Sequence, residues 1–454
     1  MEWFSVAQGH LEAGVWMALV AVGVFIAIRT RFIQFARFGT MWRETLGRAL
    51  RSRPGAEGDV TPFQAMTVAM GGTVGVGNIA GVATAIAAGG PGAVFWMWVS
   101  GLLGMGTKFA EVVLGLHYRR REPGGPMVGG PMMYIRRGLG GAWGWLAGAF
   151  ALFGAVAAFG IGNMVQANSV ADGMASFGVA PWLTGVLLVG AVGLVTVGGI
   201  KRIAHVATVC VPFMCILYML AALVVIVLHA GKLPGVLGLI VEEAFSLRAA
   251  GGGLLGAGML RAMRYGLARG VFSNEAGLGS APIAHATAQT DHPARQGMWG
   301  IFEVFVDTLV MCTQTALVIL LTGAWRDGST GATLTMNAFA HTFGQGIGFP
   351  LVVLSMILTA YDTNLAWCFY GETCAAYLLG HGRATRMSYR MLWLPLVVVG
   401  AIWKLEHVWA VADVLNALMA IPNLVALVVL SGVVVRLANG FLAGQPYAPP
   451  QEAA

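Results

Sequence analysis

Long apolar runs dominate the chain and set its fold class. Runs of roughly 18 or more apolar residues predict transmembrane helices. We find eleven such spans, near residues 13–29, 61–89, 91–117, 142–168, 182–199, 203–230, 253–288, 297–323, 347–380, 388–403 and 407–437. The hydrophobic pattern therefore predicts an all-α membrane protein with about eleven transmembrane helices.

The spans at 61–89 and 253–288 are unusually long and are interrupted by glycine. With the first span set aside, each of these two helices begins a set of five, and the two sets enter the membrane from opposite sides. This order is typical of an inverted-repeat secondary transporter. It divides the chain into a first span with a basic loop, a first repeat, an external connector with a surface helix, a second repeat and a tail, at 1–60, 61–230, 231–252, 253–437 and 438–454. We expect another surface helix near 331–345.

Basic residues give the orientation of the spans. Most of them fall in loops that alternate onto one side, at Arg29, Arg31, Arg37, Arg43, Arg48, Arg51, Arg53, Arg119, Arg120, Arg121, Arg136, Arg137, Lys201, Arg202, Arg295, Arg383, Arg386, Arg390 and Arg436. The opposite side holds only Lys232, Arg248, Arg326 and Lys404. The positive-inside rule then predicts an external N-terminus and a cytoplasmic C-terminus. We expect the membrane to be a prokaryotic inner membrane.

Composition excludes several function classes. The chain is 57% hydrophobic and 10% charged, far from the usual balance of a soluble domain. Its net charge of +7 is explained by the loop asymmetry, so no nucleic-acid partner is indicated; the lipid bilayer is the expected partner. The five cysteines lie in apolar segments without CxxC spacing, which argues against disulfides and zinc. No catalytic or metal motif appears, so we predict neither an enzyme nor a bound cofactor.

The first candidate site is residues 71–81, where five glycines fall at mid-span. Unpaired backbone in hydrocarbon is costly, so an interruption there is expected to line a cavity or bind a ligand. A broken helix could bind the carboxylate of an amino acid on its exposed N–H groups and a cation on its carbonyls. The alternative is a helix-packing face of small residues. A nucleotide loop is disfavoured because no strand precedes the glycines.

The second candidate is residues 269–279, which place Glu275 inside a span. An intramembrane carboxylate indicates function, although Glu275 could instead be a structural partner of Arg264 or Arg269. Lys108 and Glu111, three residues apart, favour a helix-face ion pair. Other polar groups expected to face the bundle interior are Gln166, Asn168, Glu303, Asp307, Asp362, Thr363 and Asn364.

Several long strings resemble one known family, the alanine or glycine:cation symporters. They are GVGNIAGVA at 75–83, GGPGAVFWMW at 89–98, GGPM at 129–132, GNMVQAN at 162–168, FSNEAGLGSAP at 272–282 and YGE at 370–372. This resemblance implies sodium-coupled import of alanine or glycine. It also implies the LeuT-like fold of the amino-acid, polyamine and organocation superfamily, here a 5+5 inverted repeat preceded by one extra span.

The resemblance also implies site residues. Backbone N–H groups of Val76 and Gly77 would bind the substrate carboxylate, and the pocket would be completed by Gln166, Phe272, Asn274 and Trp367. The two aromatic side chains would exclude large substrates. The cation would bind at the carbonyls of Gly71 and Val74, with side chains from Asn78, Asp362 and Thr363.

Two departures from the family pattern affect this site. Val76 stands where the family usually has threonine, and Asp362 stands where it usually has serine. An ionised Asp362 would bind sodium as a charged ligand, whereas a protonated one would carry a proton; a third possibility is an aspartate hydrogen-bonded beside Asn364. The sequence thus predicts a secondary symporter, with proton coupling, a non-transporting amino-acid sensor and a channel as alternatives. Alanine or glycine, and the L- or D-isomer, stay open.

Overall fold

The computed structural model describes residues 2–48, 57–122, 125–246 and 257–450. Across these ranges the regular structure is helical apart from one short antiparallel ladder, Arg120–Arg121 with Met127–Val128. The predicted all-α class is therefore confirmed. The predicted start of the second repeat, at 253, lies outside the described residues.

The described residues of the first half form eleven α-helices. They are α1 Glu2–Arg29, α2 Ile33–Ala36, α3 Phe38–Glu44, α4 Pro62–Thr73, α5 Ala80–Gly89, α6 Ala93–His117, α7 Pro131–Tyr134, α8 Gly144–Ala158, α9 Val165–Ala175, α10 Pro181–Thr196 and α11 Gly199–Leu228. A π-helical segment, Phe159–Met164, joins α8 to α9. Helix α4 begins cleanly because Thr61 and Gln64 form a reciprocal capping box and Pro62 occupies the first turn.

In the second half, the part of the chain that is described forms ten more α-helices. They are α12 Leu233–Ala244, α13 Ala257–Asn274, α14 Ala281–His285, α15 Pro293–Val304, α16 Thr313–Thr322, α17 Gly331–Phe343, α18 Gln345–Leu379, α19 Arg383–Ile402, α20 Leu405–Val429 and α21 Ser431–Leu442. A second π-helical segment, Phe305–Cys312, joins α15 to α16. All eleven predicted spans coincide with helices in the part of the chain that is described.

By length and composition, fewer than eleven of the described helices qualify as transmembrane spans. Six described helices are long and apolar enough to cross a membrane, at Ala93–His117, Gly141–Ala175, Gly199–Leu228, Pro293–Thr322, Gln345–Leu379 and His407–Val429. The bent pair Pro62–Thr73 and Val76–Gly89 makes a seventh if it counts as one span. Large apolar side chains such as Leu194 and Val209 are exposed on the outer helices, as expected of lipid-facing surfaces. The count of eleven stays a prediction.

Helix α18 organises the bundle, packing against α4, α8, α11 and α17. Helix α6 packs against α13 and α15 on the other side. The expected connector helix within 231–252 is present as α12. The expected surface helix near 331–345 is present as α17, but most of its side chains are buried and Thr335 donates to the carbonyl of Ile79 at 2.9 Å. That helix is therefore part of the packed core and not a surface element.

Candidate functional site

The predicted break in the first glycine segment is confirmed. Helices α4 and α5 are bent by 54°, and the backbone leaves the helix at Val74 and becomes extended at Gly75. The amide of Gly75 donates to Asn78 Oδ1 at 3.0 Å. All residues from 70 to 83 are buried, so this interrupted backbone lies in the protein interior. Interior polar backbone of this kind is the usual setting of a transporter binding site.

Two side chains from other helices converge on the break. Gln166 Oε1, from α9, accepts a hydrogen bond from the Val76 amide at 3.1 Å. A Cβ at Gly75 would lie only 2.8 Å from Thr363 Oγ1 of α18 and 3.0 Å from Gln166 Oε1. Only glycine allows this approach. The Val76 amide, which was predicted to bind the substrate carboxylate, is thus bonded to Gln166, which was predicted to complete the pocket.

The two aromatic residues predicted as pocket walls are both buried, and Phe272 lies beside the first break. The Phe272 ring lies 3.1 Å from where a Cβ of Gly77 would be. The Trp367 side chain presses against Gly162 in the π-helical segment, where no Cβ could fit. Trp367 Nε1 donates to Glu275 Oε1 at 2.7 Å. The wall residue is thereby tied to the second interrupted helix.

Three of the predicted cation ligands, Gly71 on α4 and Asp362 and Thr363 on α18, lie close together. Thr363 Oγ1 donates to the carbonyl of Gly71 at 2.9 Å, and the Asp362 Cβ would lie 3.3 Å from a Cβ at Gly71. Asp362 is 1% exposed, and neither carboxylate oxygen has a hydrogen-bond partner among the described residues. Asn364 does not supply one, since its amide donates to the Ala360 carbonyl. An all-oxygen donor set suits a hard cation.

Asn78 and Asn274 take part in a different cluster, centred on Asp307. Asp307 accepts hydrogen bonds from Asn78 Nδ2 at 2.6 Å, Ser273 Oγ at 3.0 Å and Thr308 Oγ1 at 2.7 Å. Asn274 Nδ2 donates to Thr308 Oγ1 at 3.1 Å. The structure thus places Asn78 with Asp307 and not with Asp362, and Asp307 links the first break to the end of α13.

The second break follows α13, where Glu275 has a positive φ of 54°. The backbone amides of the loop after α13 donate hydrogen bonds to Glu111 of α6. Glu111 Oε1 accepts from the amide of Gly277 at 3.1 Å and from that of Gly279 at 2.9 Å. The expected Lys108–Glu111 ion pair is wrong in its partner, because Lys108 Nζ bonds Glu303 at 3.0 Å. Local spacing pointed to Glu111, but its real partners are more than 160 residues away in sequence and carry no sequence signal.

Glu275 is not the partner of Arg269. Arg269 forms a bidentate pair with Asp413, at 3.2 and 2.7 Å, and its guanidinium lies 4.2 Å from the centre of the Trp409 ring. The Trp409 ring in turn lies 4.7 Å from that of Phe272. A layer of buried charge and aromatic rings therefore covers the Phe272 side of the break.

Comparison with known proteins gives a consistent result. A family model described as the sodium:alanine symporter family matches residues 2–448. The sodium/alanine symporter AgcS of Methanococcus maripaludis is 45% identical, over 93% of each chain. The probable sodium/glutamine symporter GlnT of Bacillus subtilis is 38% identical, over 92% of this chain and 85% of that one.

The fold also resembles a solved structure. A crystal structure of a manganese transporter from Eremococcus coleocola superposes with a TM-score of 0.51 and 15% identity, covering 86% of this chain and 81% of that one. At this identity the likeness concerns the fold alone. The helical arrangement therefore resembles that of this manganese transporter.

Proposed function

Because this chain belongs to the sodium:alanine symporter family, a family of transporters and not of enzymes, we propose that it imports alanine or glycine together with sodium. Cation-coupled amino-acid symport follows from the family. The substrate and the ion are our proposal. The observation that carries it is the buried break at Val74 and Gly75, on which Gln166 and Thr363 converge.

The substrate carboxylate binds the amides of Val76 and Gly77. Gln166 now accepts from Val76; on binding, its carbonyl oxygen yields this N–H to the carboxylate, while its Nε2, bonded to Ile161 O at 3.0 Å, stays anchored. Phe272 and Trp367 limit the side chain to little more than a methyl group. Asn274 positions the second break and acts on the pocket indirectly, through Thr308.

Sodium binds at the carbonyls of Gly71 and Val74 with Thr363 and Asp362. A buried carboxylate without a hydrogen-bond partner is costly, and a bound cation would offset that cost. Sodium also brings α4 and α18 together, which favours the closed form of the break through differential binding. Asn78 supports this site by bracing the break against Asp307.

The proposed transport cycle needs a membrane layout. We propose eleven spans with the N-terminus outside, in the inner membrane of a prokaryote, and two LeuT-like repeats at 61–230 and 253–437. This layout is supported by the helices found at all eleven predicted spans and by a break at the start of each repeat. Rocking of one repeat against the other around the midplane site would provide alternating access.

Uptake by proteoliposomes tests the proposal. We expect saturable uptake of labelled alanine under an inward sodium gradient, competed by glycine but not by glutamine. Uptake driven only by a proton gradient would favour proton coupling, binding without flux a sensor, and non-saturating flux a channel.

The same assay tests Asp362. Asp362→Ser should weaken sodium dependence, raising the sodium concentration for half-maximal uptake about tenfold or more, because a charged ligand is lost. The exposed carboxylate of Asp172 gives the control Asp172→Asn, which should behave as the wild type. Unchanged ion dependence in Asp362→Ser would remove Asp362 from the cation site.

A further inference from the structure

A basic crevice lies between the end of α1 and α21, away from the transport site. Its walls include Ile28, Arg29 and Arg31 from the α1 side and Val435, Asn439 and Leu442 from α21, and it encloses about 330 Å³. The three α21 residues recur at helical spacing, so they form one face of that helix. Among the described residues, none that lines the crevice is acidic.

The side chains of Arg29 and Arg31 both line the crevice. The guanidinium of Arg29 lies 6.0 Å from the Phe25 ring centre, and its Nη2 lies 3.7 Å from where a Cβ of Gly432 would be. It therefore points toward the start of α21. After α1 the chain reverses through Arg31 and Phe32, with φ of 55° and 51°, which returns Arg31 to the same crevice.

The crevice is at the level of the membrane surface. Phe32 and Phe35 stack on each other with ring centres 6.5 Å apart, and both are about half exposed, as is Ile28. Arginines that directly follow a long apolar helix are typical of the end of a membrane span, where the charged groups reach the headgroup layer. The crevice therefore opens where lipid headgroups meet acyl chains.

We propose that this crevice binds the phosphate of an anionic phospholipid. Guanidinium groups bind phosphate oxygens bidentately, and basic pockets between membrane helices are recognised headgroup sites. Ile28, Val435 and Leu442 supply the apolar wall for an acyl chain, and Asn439 supplies an amide for hydrogen bonds to the headgroup. A free phosphate ion would gain nothing from that wall, so the crevice selects lipid.

Native mass spectrometry of the full-length protein in detergent tests this site with phosphatidylglycerol and, as the neutral probe, phosphatidylcholine. The double variant Arg29→Gln with Arg31→Gln should lower the affinity for phosphatidylglycerol roughly twenty-five-fold, since each arginine near a phosphate contributes about fivefold. Retention of phosphatidylcholine should not change. The control is Arg37→Gln, an exposed arginine on the same surface but outside the crevice, which should bind as the wild type does.

Two further measurements keep the outcome clear. Monodisperse gel filtration and normal alanine uptake by the double variant would show that it is folded. Equal loss of phosphatidylglycerol in Arg37→Gln would overturn the proposal in favour of a diffuse surface charge. Complete displacement of phosphatidylglycerol by millimolar inorganic phosphate would overturn it in favour of a free-anion site.

Discussion

Gly75 is the residue on which the geometry of the break depends. Its missing side chain lets Thr363 and Gln166 approach the backbone to within hydrogen-bond reach. Any Cβ would collide with both. The same reasoning applies to Gly162, whose surface is filled by Trp367. At both positions the absence of a Cβ allows a larger side chain from another helix to pack against the backbone.

Gln166 and Trp367 are predicted to be needed for transport but not for folding. Gln166→Ala removes the group that holds the Val76 amide, and Trp367→Ala removes a wall of the pocket. Each should reduce alanine uptake about tenfold or more, while expression and membrane insertion stay normal. Uptake by the two variants in proteoliposomes, at matched protein content, is the measurement. Wild-type uptake by both would exclude them from the pocket.

Trp367→Phe separates shape from hydrogen bonding at the same position. The ring stays, but the donor to Glu275 is lost. If Trp367 acts as a wall, the phenylalanine variant should retain much more uptake than the alanine variant and still reject glutamine. Equal loss in the two variants would instead assign the effect to the bond with Glu275.

The two helix breaks differ in the groups that accept hydrogen bonds from their backbone amides. In the first, Val76 bonds a side-chain amide that a ligand can replace, whereas in the second the amides of Gly277 and Gly279 bond the buried carboxylate of Glu111. The second break is therefore already filled by a carboxylate of the protein. In the first break, we propose that the carboxylate of the substrate takes the corresponding place. We therefore regard the second break as a structural joint.

Glu111 is accordingly predicted to stabilise the fold. Glu111→Ala should lower the free energy of unfolding by about 3 kcal/mol, because hydrogen bonds to a charged acceptor are lost and buried amides are left unpaired. Glu111→Gln keeps an acceptor and should recover part of this. Thermal melting in detergent measures both, with Glu242→Ala, at an exposed glutamate of α12, as the control. Melting of Glu111→Ala at the wild-type temperature would contradict this role.

Helix α15 carries a pH-sensitive cap just outside its apolar segment. His292 Nδ1 accepts from the amide of Ala294 at 3.0 Å, which requires a neutral ring, and burial, aided by Arg295, lowers the pKa of His292 to about 4. The unfolded pKa is about 6.5. The contribution of this cap is therefore complete above pH 6.5 and is lost as the pH falls toward 4.

His292→Asn should keep the cap without this titration, since asparagine is a good N-cap residue. Its melting temperature should fall less than that of the wild type between pH 6.5 and 4. His341→Asn, at an exposed histidine of α17, should retain the wild-type pH response. An identical pH response in His292→Asn and the wild type would show that the cap does not titrate in this range.

At the scale of the whole molecule, hydropathy predicted the helices well, because a bilayer leaves few alternatives to an apolar helix. The first break was also predictable, since glycine clustering at mid-span has few other uses. Pairings such as Asp307 with Asn78 or Glu111 with Gly277 were not, because they depend on how distant helices pack. Helix α17 was misplaced for the same reason: its moderate polarity suggested a surface position, but packing against α5 and α18 buries it.

Orientation is the whole-molecule property that charge predicts and helix geometry leaves undetermined. Thr330 and Ala384 are both exposed and lie before α17 and after α18. Of these two helices only α18 is a predicted span, so one crossing should separate the two residues. By the positive-inside rule Thr330 is external and Ala384 cytoplasmic.

In intact cells a membrane-impermeant maleimide should label a Thr330→Cys variant but label Ala384→Cys only after permeabilisation. The wild type is the control for labelling of the native cysteines. Four of these are buried: Cys215, Cys312, Cys368 and Cys374. Labelling of Ala384→Cys alone would invert the topology, and labelling of both in intact cells would mean that α18 does not cross, which would remove the 5+5 layout.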